Sequence, residues 1–218
     1  MENHFDDFIE ALAAVEVGAD AFNQYARNSP DNAIRRENLR LYLRQMASHR
    51  PHVLLVGEAP GYQGCRLSGI PFTSEYIMLN GVPGVPIFGE AHGYRKTEEI
   101  ERVKKEPSAT IVWNTIAAVG ILPLIWSAFP FHPHRAGNPW SNRPPRAGEL
   151  AIGQRFLADI LRLFAVDLVV AVGNKADQSL TRMNIPHTKV RHPSQGGKAD
   201  FVAGIEAIAR QVQHDRKE

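Results

Sequence analysis

Val53-Leu54-Leu55-Val56 is a continuous apolar run that stops at Gly57. Four adjacent aliphatic side chains point to both faces of an extended chain, so the run reads as a strand buried on both sides, as in a parallel sheet. Three more runs end in the same way. Pro123-Leu124-Ile125-Trp126 leads to Ser127, Leu168-Val169-Val170-Ala171-Val172 leads to Gly173, and the weaker His187-Thr188-Lys189-Val190-Arg191 leads to His192. Helical patterns separate them, at roughly Ser108 to Val119, Gly148 to Phe164 and Ala176 to Met183. A last helix carries Phe201, Ile205, Ile208 and Val212 on one face. Strands alternating with helices predict an α/β fold whose parallel sheet is covered on both sides.

Working outward, Phe5, Phe8, Ile9, Leu12 and Val15 share one helical face near the start. Ser29-Pro30-Asp31 breaks the chain, an Arg-rich helix follows through Met46, and Pro51 ends the region. Residues 1–50 are therefore expected to form a helical segment packed on a main domain of residues 51–218. A chain of 218 residues suits one sizeable domain. Two stretches break the alternation. Tyr62 to Lys105 holds Gly81-Val82-Pro83-Gly84-Val85-Pro86 and part of a charged run from Arg95 to Glu106, and reads as a long excursion between the first two strands. Phe129 to Pro145, dense in Pro, His, Arg and Asn, reads as irregular.

Composition narrows the function classes. Hydrophobic residues make up 44% and charged residues 22%, as in ordinary globular chains, and the net charge is only +2, so any nucleic-acid surface has to be local. With Cys65 as the single cysteine, no internal disulfide, Cys-based zinc site or iron–sulfur cluster can be built. The acidic start lacks the apolar core of a signal peptide, and no apolar run approaches the ~20 residues of a membrane span. A cytoplasmic protein, nucleoid-associated when on DNA, is the expectation. Neither Gly-x-Gly-x-x-Gly nor Gly-Lys-Ser/Thr occurs, and His132-Pro133-His134 lies in a Pro-rich loop where such pairs seldom ligate, so no cofactor or metal is expected.

The unusual residues collect at the carboxyl ends of the strands, where open parallel sheets bind ligands. Gly57-Glu58-Ala59-Pro60-Gly61 follows the first strand, Ser127-Ala128-Phe129-Pro130 the second, Gly173-Asn174-Lys175 the third and His192-Pro193-Ser194-Gln195-Gly196-Gly197 the fourth. Each piece has an ordinary explanation alone: a strand-to-helix turn, loop packing at Pro71-Phe72, a structural histidine. Four loops lining one crevice do not.

Together these residues resemble the uracil-DNA glycosylase superfamily. The first motif is Val56-Gly57-Glu58-Ala59-Pro60-Gly61 with Gly69-Ile70-Pro71-Phe72-Thr73, and the second is His192-Pro193-Ser194. The match is to the Gly-Glu-Ala-Pro-Gly branch, best known for iron–sulfur enzymes, although the cluster cysteines are missing here. The resemblance implies a three-layer α/β/α sandwich around a four-stranded parallel sheet, with a damaged nucleotide flipped out of the stack into a pocket. It assigns base stacking to Phe72 and stabilisation of the charge on uracil O2 to His192, helped by backbone N–H groups near Glu58 and Ala59. The main branch has an Asp as water activator where this chain has Ala59, which leaves Glu58 as the nearest carboxylate, either positioning water or serving as a structural hydrogen-bonding partner. Ser127 stands where the superfamily reads the uracil edge with Asn. Gly61 stands where a tyrosine excludes thymine, and Tyr62 is the neighbouring bulk that could replace it.

The same resemblance puts DNA against the loops. Ser194 is expected at a flanking phosphate, Gln195, Gly196, Gly197 and Lys198 at the minor groove, and Arg143, within a loop that also holds Arg135, Asn138, Asn142 and Arg146, at the backbone. The substrate-binding set is thus Gly57, Glu58, Ala59, Gly61, Phe72, Ser127 and His192, with His192 and Glu58 the catalytic candidates. The expected partner is uracil-containing DNA, single- or double-stranded, and the expected state is a monomer. Two further readings stay open: a non-enzymatic binder of damaged bases or abasic sites, motivated by Ala59 and Ser127, and a glycosylase for hypoxanthine or xanthine.

Overall fold

A computed structural model describes residues 2–215. Helix α1 (Glu2–Ala13) and the two-residue strand β1 (Ala21–Phe22) precede helix α2 (Pro30–His49) and strand β2 (Val53–Gly57). Short helices α3 (Cys65–Ser68) and α4 (Glu75–Asn80) and a 3-10 turn at Glu90–His92 lead to α5 (Pro107–Val119) and β3 (Leu124–Ser127). Then come β4 (His132–Pro133), α6 (Ala147–Leu163), β5 (Leu168–Val172), α7 (Asn174–Arg182), β6 (Thr188–Val190) and α8 (Lys198–Asp215).

The main sheet has the order β3-β2-β5-β6, all parallel. Helices α6 and α7 pack together against β3 and β5, while α5 packs on α8, which lies along β6. The sheet is thus the middle layer of three. All five residues of β2 are buried, as the unbroken apolar run required. From β2 the chain goes to one neighbour, β3, then crosses to the other, β5. The order therefore reverses between β2 and β5, and their carboxyl ends open a crevice there.

The edge of the sheet at β3 is covered. Buried Tyr42 of α2 accepts the Ile125 N–H at 2.8 Å, a backbone donor that would otherwise face no acceptor. Phe8 of α1 meets Trp126 of β3 with ring centroids 5.2 Å apart, so the N-terminal helices enter the same core as the sheet.

The strands fall where the sequence placed them, with small shifts. Pro123 precedes β3, and β6 is shortened to three residues. Helix α1 stops at Ala13, and Val15 packs on the core from the following loop. Helix α2 runs past Met46 to His49, because nothing ends it before Arg50, which adopts a left-handed conformation (φ 49°). The chain break read at Ser29-Pro30 is the start of α2: the Ser29 hydroxyl accepts the Asp31 N–H at 3.1 Å and Pro30 fills the first turn. The excursion after β2 is stitched down. Asn38 of α2 donates to the Ser68 and Arg95 carbonyls and accepts the Arg95 N–H. The stretch read as irregular contains β4, which pairs antiparallel with β1. Among the described residues, no helix is long and apolar enough to cross a membrane.

Candidate active site

The crevice holds a cavity of about 470 Å³, within the usual range of small-molecule sites. Glu58, Ala59, Gly61, Phe72, Ser127, Arg143, His192, Ser194 and Gln195 all line it, so the loops after β2, β3 and β6 converge on it, while the fourth, at Gly173 and Asn174 after β5, lines an adjoining cavity instead. A separate cavity of about 330 Å³ at the other end of the sheet, beside His49, Arg50 and His52, contains none of the motif residues.

Gly57 ends β2 because of Phe72. A Cβ on Gly57 would lie 2.2 Å from Phe72 Cε2, so the phenyl ring rests directly on the strand backbone. Phe72 itself has a left-handed backbone (φ 49°), a conformation that costs a non-glycine residue of order 1–3 kcal/mol. It is held there by Trp113, whose indole N–H donates to the Phe72 carbonyl at 3.0 Å and to Thr73 Oγ1 at 3.1 Å. The result is a partly exposed ring on the cavity wall, with its centroid 5.5 Å from the His192 ring and the planes 35° apart.

His192 is oriented by its own loop. The Ser194 N–H donates to His192 Nδ1 at 3.1 Å, and Ser194 Oγ lies 2.8 Å from the same nitrogen. An Nδ1 that accepts an N–H carries no proton, so the neutral ring holds its hydrogen on Nε2. Burial lowers the His192 pKa from its ordinary value, against an opposing pull from the Glu58 carboxylate, and the ring is neutral at pH 7. Nε2 has no protein partner among the described residues and is free to donate into the cavity. Gly197 keeps this loop tight: a Cβ there would lie 2.2 Å from the His192 carbonyl oxygen.

Glu58 sits at the start of α7, where its Oε1 accepts the Lys175 N–H at 3.3 Å. Gly173 makes room, since a Cβ on it would come within 2.8 Å of that oxygen. The side chain faces both the main cavity and an adjoining one of about 560 Å³ lined by Gly173, Asn174, Lys189 and Arg191. Ser127 pairs in register with Gly57. It is buried, and no protein group among the described residues takes its hydroxyl.

Other expected residues are placed differently. Arg143 has no donor left for a phosphate: its five N–H groups go to the His134, Pro144 and Asp20 carbonyls and to both oxygens of Glu149. It clamps the loop between β4 and α6. Arg135, exposed on the same wall, keeps a guanidinium with no partner among the described residues. Ser194 orients His192 as well as facing the rim. Gly196 and Lys198 are exposed beside the cavity without lining it. Tyr62 does not line the main cavity; with Gly61 it lines a neighbouring one, and Asn142 is what a Cβ on Gly61 would touch. His132 turns Nδ1 to the Pro60 carbonyl at 2.8 Å and Nε2 to the Pro139 carbonyl at 3.2 Å, so both ring nitrogens face backbone.

Sequence reading passed over Glu106. It lines the cavity, caps α5 by accepting the Ala109 N–H at 3.0 Å, and has its carboxyl pKa raised by burial. Its signal was Glu-Pro-Ser at the head of a helical pattern, an N-terminal cap followed by a proline in the first turn.

The family model of the uracil DNA glycosylase superfamily matches residues 44–212. The chain belongs to this superfamily. It is therefore a DNA glycosylase, a hydrolase of N-glycosidic bonds. Among solved structures, the crystal structure of wild-type Pedobacter heparinus SMUG2 is similar in fold, with a TM-score of 0.66 at 16% identity, covering 97% of this chain and 98% of that one. No curated protein matches. The superfamily match spans all four sheet strands and both halves of the cavity, from Gly57 to the His192 loop.

Proposed function

We propose that this glycosylase hydrolyses the bond between uracil and deoxyribose in DNA, without a lyase step, leaving an abasic site. The observation that carries the reading is the pairing of the Phe72 ring with a neutral His192 whose Nε2–H faces the cavity. A flipped uracil stacked on Phe72 can present O2 to that donor.

The N1–C1′ bond breaks with its electron pair moving to the base, and the sugar becomes an oxocarbenium ion. Charge gathers on O2 as the bond lengthens, so the Nε2–H stabilises the transition state more than the bound substrate. His192 donates a hydrogen bond and keeps its proton. Water then attacks C1′, a C1′–O bond forms, and the surplus proton passes to Glu58 or solvent. Glu58, held by the Lys175 N–H, is the anion available to orient that water and to offset the positive sugar.

A second reading rests on Ser127. One hydroxyl donates or accepts singly, whereas an amide edge does both in fixed geometry. That favours a broader lesion range, with hypoxanthine or xanthine accepted beside uracil. Single-turnover assays on oligonucleotides, each carrying one lesion, test both readings. Uracil release is the expected result. Ser127→Asn is expected to narrow the range towards uracil. A folded wild-type enzyme that releases a purine lesion as readily as uracil would favour the second reading, and one that leaves uracil intact would sink both.

A further inference from the structure

The loop between β4 and α6 carries an aromatic that lesion chemistry does not use. Trp140 is 42% exposed, whereas Trp113 and Trp126 are fully buried. Its ring lies 4.2 Å from the Arg66 guanidinium, which is also 4.7 Å from the Phe22 ring. Arg66 is itself buried. Its Nη2 donates to Glu99, but Nε and Nη1 have no hydrogen-bond partner among the described residues. Aromatic faces are therefore what this cation is offered in place of water. The contact covers one face of the indole, and the residue stays 42% exposed.

The loop beneath Trp140 is braced. The Trp140 N–H donates to Asn138 Oδ1 at 3.1 Å, the Arg135 N–H donates to Ser141 Oγ at 3.0 Å, and that hydroxyl donates to the Asn138 carbonyl at 2.7 Å. Arg135 and Asn142, which bracket Trp140 in sequence, both line the lesion cavity. A large, exposed aromatic on a braced loop thus lies between two residues that line the cavity, one of them an arginine whose guanidinium has no partner among the described residues.

We propose that Trp140 is a second stacking platform, which takes an unpaired base of the bound DNA strand beyond the nucleotide flipped onto Phe72. Arg135 is placed to meet phosphate between the two. Every base has a π face, so such a platform grips single strands regardless of sequence, while a paired base has its faces already covered. The proposal rests on the reading of the cavity as a DNA-lesion pocket.

Trp140 supplies the quencher-accessible emission of the protein, because the other two indoles are buried. The wild-type chain is titrated with a single-stranded oligonucleotide carrying 2′-fluoro-2′-deoxyuridine, whose fluorine disfavours positive charge at C1′ and keeps the base in place. The expected result is loss of iodide-accessible emission on binding. Trp140→Leu, which keeps an apolar cover on Arg66, is expected to bind this strand roughly 5- to 150-fold more weakly, with a smaller loss on duplex, and Trp140→Tyr to recover most of it. Binding and uracil excision with Trp140 emission unchanged, or equal losses on single strand and duplex, would overturn the proposal and leave the glycosylase reading standing. Failure to bind any oligonucleotide overturns both. Quenching without excision of ordinary uracil supports the platform and sinks the uracil reading.

Discussion

At the scale of single residues, His192 carries the sharpest expectation. Its Nδ1 accepts the Ser194 N–H, so the neutral ring donates from Nε2 and is held in place by a contact that a second proton, on Nδ1, would break. Because charge on O2 develops late, His192→Ala is expected to lower the single-turnover rate about 10²- to 10³-fold, the usual effect of losing such a donor, while affinity for uracil DNA changes little. The contrary pattern, lost affinity at an unchanged rate, would make His192 a packing or phosphate residue. The pH profile follows from the same geometry. Burial lowers the His192 pKa below its ordinary 6.5. Activity is therefore expected to hold as pH falls through 6.5 and to drop only below it, where a proton on Nδ1 displaces the Ser194 contact. A midpoint at 6.5 would show a ring that solvent reaches freely, and one above it a ring governed by the Glu58 carboxylate.

At the scale of elements, the site depends on places where the backbone must lack a side chain. Gly57→Ala would put a methyl carbon 2.2 Å from Phe72 Cε2, so the phenyl ring must leave the strand backbone. Excision is expected to fall at least about tenfold, the cost of roughly 1.4 kcal/mol of lost stacking, with a smaller loss of thermal stability. A fully active Gly57→Ala enzyme would mean that the ring does not carry the base. Here the limits of sequence are physical. Gly57 was legible as a strand end, because an apolar run stopped there. That it is the floor under Phe72 was not, because the contact joins two elements and shows no local periodicity. The bonding of Arg143 was not legible for a related reason. Its neighbours Arg135 and Arg146 suggested a cationic rim, but only the fold brings Asp20 and the backbone carbonyls to its guanidinium. Glu106 was hidden within a charged run that also reads as solvated surface.

At the scale of the whole molecule, His132 joins parts that are far apart in sequence. It lies on β4, whose pairing with β1 ties the loop to the N-terminal segment, and it faces Pro60 on one cavity wall and Pro139 in the Trp140 loop. It is fully buried, and burial pushes its pKa down to about 4 from the ordinary 6.5. The unfolded chain therefore takes up a proton at His132 before the folded one does. Its contribution to stability is complete above pH 6.5 and declines as pH falls from 6.5 towards about 4. The linkage amounts to about 3 kcal/mol over that window, and His192, shifted the same way, adds to it. Glu75 and Glu106 act oppositely near the bottom of the window, because burial raises their pKa values and protonation relieves them. His132→Asn keeps an N–H at the position of Nδ1 to donate to Pro60 but has no site for a proton. Urea unfolding of both proteins at pH 7.5 and 4.5 is expected to show a steep loss for the wild type and a distinctly shallower one for His132→Asn. Equal losses would mean that the acid sensitivity lies in the carboxylates. The shallower loss would assign a main share of the acid sensitivity to the one imidazole that joins the N-terminal segment, the cavity wall and the Trp140 loop.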